Sequence, residues 1–418
     1  MMKHICRPIA AAIIFWCLLF QATPAVFAQR PYGGLKDYPF IKIRHNRILN
    51  DRPGLDNFYG KLRALKTDRT GSVTIVHIGD SHIQADFMTA VVRERLQGIF
   101  GNAGRGLVFP YQLAKTNGPV DYRSYSNAVW RFERNASRVV TLPMGISGFT
   151  LETNQEGAAI RLSLTGAANR RHAFDRITVF HDNNHDAFPF AVTGNNTGGI
   201  DENAVRQENH PSGTTFFLPS HYDSVTVAAL RTGDDQRYAR FYGISLENGT
   251  AGVLYHMAGV NGATFKNFNE SVYFASQLRD LKPDLVIVSL GTNDATDRGF
   301  SSQEIYSRIG LLAGSIKTAC PDTDILFTIL PDFGSPRNRR LKQNIFSARS
   351  AVIIYSREKG HAFWDLYNVM GGQGSFQKWK KFSLAQGDMV HFTKSGYALQ
   401  GSLLADALIE GLTVYGSR

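Results

Sequence analysis

The chain has 418 residues, 43% of them hydrophobic, enough to exclude a disordered or low-complexity chain and to build a buried core without cross-links. Its 46 Lys and Arg against 35 Asp and Glu give a formal charge of +11. That balance favours anionic surroundings. The basic residues are scattered and no nucleic-acid motif is present, so an anionic envelope polymer is a better expectation than nucleic acid, and a solvated basic surface is the plainer alternative.

Lys3 and Arg7, the apolar stretch 9–20 and the small-residue site Ala25-Val26-Phe27-Ala28 read as a signal peptide over 1–28, cleaved before Gln29. The apolar run is short for a span of about 20 residues, so no membrane span is expected after cleavage. Cys17 lacks a following lipobox, and loss of Cys6 and Cys17 leaves Cys320 alone. No internal disulfide can form, and with no HExxH-type pair there is no metal site to expect. Residues 29–70 read as a polar N-terminal arm with a short helix near 58–65.

Val73, Ile75, Val76 and Ile78 form a short β-branched run typical of a strand covered on both faces. Gly79-Asp80-Ser81 breaks it. Phe87, Val91, Val92, Leu96 and Ile99 then recur at helical spacing from about Ile83 until Gly101 stops them. Residues 101–106 are a glycine-rich loop without phosphate-loop spacing, read as turn chemistry, and 107–111 an extended apolar piece.

From about Thr116 the pattern changes to short alternating segments, 137–142, 159–164, 176–181, 214–218 and 224–230, separated by Gly, Asn, Asp and Pro clusters. Such spacing predicts a β-sandwich. From about Gly252 the rhythm becomes strand 284–289, helix 305–319, strand 324–330, helix 341–355, strand 362–366 and a closing helix 394–412. Alternating β and α elements imply one α/β domain with a parallel, doubly wound sheet, into which the sandwich is inserted.

A serine between a parallel strand and a helix lies at the edge where α/β folds place ligands, so Ser81 has a nucleophile's address. Its hydroxyl needs a histidine to take its proton and a carboxylate to orient that histidine. Asp388 and His391, three residues apart before the last helix, supply the pair, although Asp three before His is by itself more often a solvated turn. An oxyanion needs donors. Asn293, after strand 284–289, and the Gly262 N–H, after the strand-like 252–256, meet that need, against the bland reading of loops where Gly and Asn allow positive φ. Gly145-Ile146-Ser147-Gly148-Phe149-Thr150 resembles Gly259-Val260-Asn261-Gly262-Ala263-Thr264, so Gly148 is a rival. Gly262 is preferred because a helix and a strand follow it. The stretch from His181 to Asp186 reads as a polar turn, and Phe392, Tyr397, Tyr125 and Trp130 as packing or sugar-stacking aromatics.

Gly79-Asp80-Ser81, Gly262, Gly291-Thr292-Asn293-Asp294 and Asp388-Met389-Val390-His391 together resemble the ordered blocks of the SGNH/GDSL hydrolase superfamily. His82 departs from its GDSL consensus, and a sandwich separates the first two blocks. GDSHIQAD, GVNGAT, GTND and GDMVHFT, with that insert, resemble the peptidoglycan O-acetylesterase subgroup, whose insert is similar to a carbohydrate-binding module. The resemblance implies a flavodoxin-like three-layer domain over 71–118 and 251–418, a β-sandwich over 119–250, and periplasmic or envelope localisation. It implies Ser81 as nucleophile, His391 as base, Asp388 as its orienter, and Ser81, Gly262 and Asn293 as oxyanion donors, with no cofactor and no metal. The implied substrate is an acetylated glycan, at the 6-O-acetyl of N-acetylmuramic acid in peptidoglycan. Another acetylated polysaccharide or a lipid ester is the alternative, and a non-catalytic wall-binding protein the rival class. No protein partner can be assigned from sequence.

Overall fold

The run around Val76 becomes the strand Ser72–Gly79, buried after its first residue. It is central: Gly252–Gly259 and Leu285–Ser289 flank it, both parallel. Asp324–Thr328 and Ala362–Trp364 extend the sheet in parallel, and Ile48–Leu49 closes its edge antiparallel. In chain order the parallel strands run 2-1-3-4-5, the flavodoxin-type arrangement, with its switch point between Ser72–Gly79 and Leu285–Ser289. The architecture is seen in a computed structural model that describes residues 37–193 and 200–416; the expected signal peptide lies outside the described residues.

Right-handed crossovers on either side of a switch point put helices on opposite faces. Phe87–Phe100 packs with Lys394–Gly416 and Asp56–Asp68, whereas Phe265–Asn269, Phe274–Leu281 and Arg339–Lys359 pack around Ser302–Ala319. Ser302–Ala319 shows why these segments are helical: Ser301 caps Glu304 N–H, and Ile305, Ile309, Leu312, Ala313 and Ile316 share one buried stripe. Each large aliphatic buried this way contributes about 1.5–3 kcal/mol.

The N-terminal segment is more integrated than a polar arm. Phe58, Tyr59, Leu62 and Leu65 are buried in the helix Asp56–Asp68. Asn46 donates to Leu403 O at 2.9 Å and accepts from Trp364 Nε1 at 2.9 Å. A strand of two residues whose partner lies some three hundred residues later leaves no local pattern to read.

The expected single helix from 83 to 99 is broken. Ser81–Gln84 and Phe87–Phe100 are separate, with Asp86 at φ 60° between them. The buried Asp86 carboxylate takes Arg93 at 2.6 Å and Arg105 at 2.7 Å, and Arg105 also holds Asp121. Those buried ion pairs outweigh helical continuity.

The insert is a sandwich of a seven-stranded and a four-stranded sheet, antiparallel throughout its strand pairs. Phe190 of the smaller sheet meets Phe241 and His181 of the larger, with ring centroids 5.9 and 5.2 Å apart. Two expectations fail here. Residues 137–142 are not a strand, because the Glu133 carboxylate takes the Thr141 and Leu142 N–H groups at 2.6 and 2.9 Å. The glycine-rich stretch is not simply a turn: Gly104–Val108 is a strand that pairs with Ala239–Glu247, although it precedes the expected start of the insert. A Cβ at Gly106 would stand 2.3 Å from Tyr255 O, so close approach of two backbones explains the glycine.

Candidate active site

Gly79 ends the first strand where a Cβ would lie 2.4 Å from Ile83 Cγ1 and 2.8 Å from Ser289 O. The chain therefore turns in close contact with its neighbour. Asp80 caps the helix Ser81–Gln84, its carboxylate accepting His82 N–H at 3.0 Å. Ser81 becomes the first helical residue, and its own N–H has no partner within the helix.

The loop before the last helix supplies the rest. Asp388 Oδ1 accepts the N–H groups of Val390 and His391 at 3.0 and 2.9 Å, while Oδ2 meets His391 Nδ1 at 2.6 Å. His391 Nε2 then stands 2.9 Å from Ser81 Oγ. Partial burial acts to raise the Asp388 carboxyl, but the two amides and the imidazole outweigh it and hold it below the usual carboxylate range. The side chains of His391 and Asp388 are 36% and 44% exposed, so the relay opens directly on solvent. An Oγ–Nε2–Nδ1–carboxylate chain of this geometry can take a proton from serine and return it to a leaving group.

Gly262 is exposed, at φ +87°, in the turn after Gly252–Gly259. Asn293 follows the strand Leu285–Ser289 in the short helix Thr292–Thr296. Its amide donates to Ala263 O at 2.9 Å and reaches Asp80 Oδ2 at 3.5 Å. Asn293 is thus tied to the immediate neighbours of Gly262 and Ser81, and the five expected residues converge on one sheet edge. The rival Gly148 packs directly behind the Gly262 turn: a Cβ on it would meet Val260 Cγ2 at 2.4 Å, but its own N–H is taken by Gly145 O at 3.1 Å.

Beneath these groups the loops are held by buried acids. Burial pushes the Asp80 carboxyl up to about 7 against the opposing His82 amide, and the Asp294 charge adds to the rise. Burial also raises Asp294, to about 6, opposed by Phe265 N–H and Arg308. His82 is buried behind the relay, its ring centroid 5.6 Å from that of His391 and its Nδ1 2.9 Å from Tyr397 Oη. Burial lowers its pKa to about 3, aided by His391 and opposed by Asp388, so it backs the site as a neutral ring. Phe392, Tyr397 and Trp130 are core residues, while Tyr125 is 68% exposed. In the loop after residue 181, Asp182 accepts from Tyr242 Oη at 2.5 Å and Arg240 at 3.0 Å, which makes it a structural anchor.

Two contributors carry little sequence signal. Asp86 and Gln84 read as part of one helix, yet the first is the hub of the buried arginine cluster and the second is fully buried among three loops. Only the acidic and amide residues at otherwise apolar helix positions could have marked them.

Residues 223–399 match the GDSL-like lipase/acylhydrolase family, a span that includes Gly262, Asn293, Asp388 and His391 but not Ser81. The matched segment is similar to that family, and the flavodoxin-type sheet that carries it is the fold shared with the solved structure described next. Among solved structures the chain is similar to a peptidoglycan O-acetylesterase, with TM-score 0.70 and 23% identity over 86% of this chain and 96% of that one. A lipase/acylhydrolase from Enterococcus faecalis (TM-score 0.30, 22% identity) covers 37% of this chain and 75% of its own. A GDSL-like lipase from Bacteroides thetaiotaomicron (TM-score 0.29, 22% identity) covers 38% and 76%. No curated protein matches the sequence.

Proposed function

We propose that the chain is a serine esterase that removes O-acetyl groups from a cell-envelope glycan, with the 6-O-acetyl of N-acetylmuramic acid in peptidoglycan as its substrate. The observation that carries this reading is the Asp388–His391–Ser81 relay, with contacts of 2.6 and 2.9 Å on an exposed surface. Ser81 Oγ attacks the acetyl carbonyl carbon while His391 Nε2 takes its proton. The oxyanion that forms receives N–H groups from Ser81 and Gly262 and the Asn293 hydrogen that now makes only a long contact to Asp80. Collapse breaks the bond to the sugar oxygen, which leaves with the proton from His391. Water, deprotonated by the same imidazole, then splits the acetyl-serine to acetate and restores Ser81.

A shallow site suits a small acyl group on a bulky polymer. Neither of two clefts, of about 520 and 550 Å³, is lined by Ser81 or His391. The extended match to a peptidoglycan O-acetylesterase, sandwich included, supports the glycan assignment, and with it action outside the cytoplasm. The sandwich is the proposed glycan-holding part. Acetate release measured side by side on O-acetylated peptidoglycan, acetylated xylan and a p-nitrophenyl acyl series tests the reading. Release from peptidoglycan should exceed that from xylan, and activity should fall steeply beyond the acetyl ester. Preference for xylan or for long acyl chains sinks the substrate assignment, and no release from any of them favours an inert wall-binding protein.

A further inference from the structure

Gln84 is the last residue of the helix that begins with Ser81, and its side chain is fully buried. Its Oε1 accepts the N–H of Asn261, the residue before Gly262, at 2.6 Å. Its Nε2 donates to Asn117 O at 2.6 Å, Thr116 Oγ1 at 3.0 Å and Asn117 Oδ1 at 3.2 Å. A backbone N–H can only donate and a carbonyl can only accept, so these partners fix which way the amide points. Asn261 Nδ2 closes the ring by donating to Asn117 Oδ1 at 2.7 Å. One side chain thus joins the nucleophile helix, the glycine turn and the segment that leads into the sandwich.

We infer that Gln84 is a positioning residue for the Gly262 N–H, holding the turn so that this donor faces the oxyanion that develops on the ester attacked by Ser81. The inference rests on the esterase reading and on Gly262 as a donor. Gly262 is exposed, and a Cβ there would meet only Ala136 Cβ, at 3.7 Å. Packing on that side therefore does little to set the turn's tilt. The constraint comes from the flanking residues, Asn261 through Gln84 and Asn117, and Ala263 through Asn293. A donor misaimed by a fraction of an ångström loses transition-state stabilisation while leaving ground-state binding nearly untouched. Thr116 and Asn117 link the sandwich strands Gly104–Val108 and Tyr122–Ser126, so the same clamp makes the seating of the insert part of the catalytic geometry.

The test compares wild type, Gln84→Leu, Asn117→Ala, the double variant and Ser81→Ala on p-nitrophenyl acetate, with melting curves as the fold control. Gln84→Leu should lower kcat by about 10- to 100-fold with KM changed by less than about twofold. Asn117→Ala, which removes the Oδ1 shared by Gln84 and Asn261 but leaves the backbone and Thr116 acceptors of Gln84, should lower kcat by about 3- to 10-fold, and the double variant should be no worse than Gln84→Leu. A folded Gln84→Leu enzyme with kcat near wild type, or a loss confined to KM, overturns the inference. If Gln84→Leu does not fold, Asn117→Ala at an exposed residue decides alone: an unchanged kcat overturns it. The esterase reading fails separately, and takes the inference with it, if folded Ser81→Ala keeps its activity.

Discussion

Two turns of similar sequence, one in the α/β sheet and one in the sandwich, have different fates. Gly259-Val260-Asn261-Gly262-Ala263-Thr264 and Gly145-Ile146-Ser147-Gly148-Phe149-Thr150 both place their second glycine at positive φ, +87° and +73°. In the sandwich turn the Gly148 N–H is used at once by Gly145 O, and the Ile146 N–H by Gln277. In the sheet turn Gly262 stays exposed while its neighbours are tied down by Gln84 and Asn293. A parallel strand must end at an open edge and cross over, which leaves a donor facing outward. An antiparallel connection folds back and uses its donors internally. The residue types are shared; the topology decides whether an amide is available.

The largest effect that sharpens this contrast lies at the sheet edge. Ser81→Ala and His391→Ala should each lower turnover by about 10⁴-fold or more with melting temperatures unchanged, read by acetate release and thermal denaturation. Activity near wild type in folded Ser81→Ala would break the site assignment. Next, Asn293→Ala should lower kcat by about 10²- to 10³-fold, as loss of one oxyanion donor does.

The two glycines test the comparison directly. Gly262→Ala has room for its Cβ but must hold an alanine at φ +87°, so it should lower kcat by about tenfold and also cost about 1 kcal/mol of stability. Gly148→Ala, also at positive φ, forces a Cβ to within 2.4 Å of Val260 Cγ2, so it should lower the melting temperature more than Gly262→Ala does and kcat less. The reverse pattern would make Gly148 the functional glycine.

A last effect, on stability and not on turnover, concerns pH. The Asp80 carboxyl is raised by burial to about 7, above its unfolded value near 4, so the folded state binds the proton more tightly. Its contribution to stability is complete below about pH 4 and is lost as pH rises through about 7, at about 1.4 kcal/mol per pH unit in that window. Asp80→Asn, which cannot ionise, should be relatively more stable at pH 8 than at pH 4 when compared with wild type by denaturant titration. An unchanged difference across that range would show that the carboxyl is not the titrating group.

How much was legible differs by region. Ser81, Asp388, His391, Asn293 and Gly262 could be singled out because each stands in a short break after a strand or before a helix, and such breaks are local events. The alternation of Ala159–Leu164 and Ser224–Ala229 could be read for the same reason. The edge strand Ile48–Leu49, the break at Asp86 and the Glu133 anchor at Thr141 could not, since each is fixed by a partner on another element. His82 was conspicuous as a departure from consensus, but only packing assigns it a place behind His391.

By itself, then, the sequence determined which residues could do chemistry and that a parallel sheet would carry them, since periodicity and turn residues act over a few positions. The tertiary structure alone decided which glycine stands exposed, why the helix that Ser81 begins stops at Gln84, and that Gln84 clasps the glycine turn to the segment at Thr116 and Asn117. Those outcomes depend on hydrogen bonds and ion pairs between segments far apart in the chain, whose energies exist only once the core has brought them together.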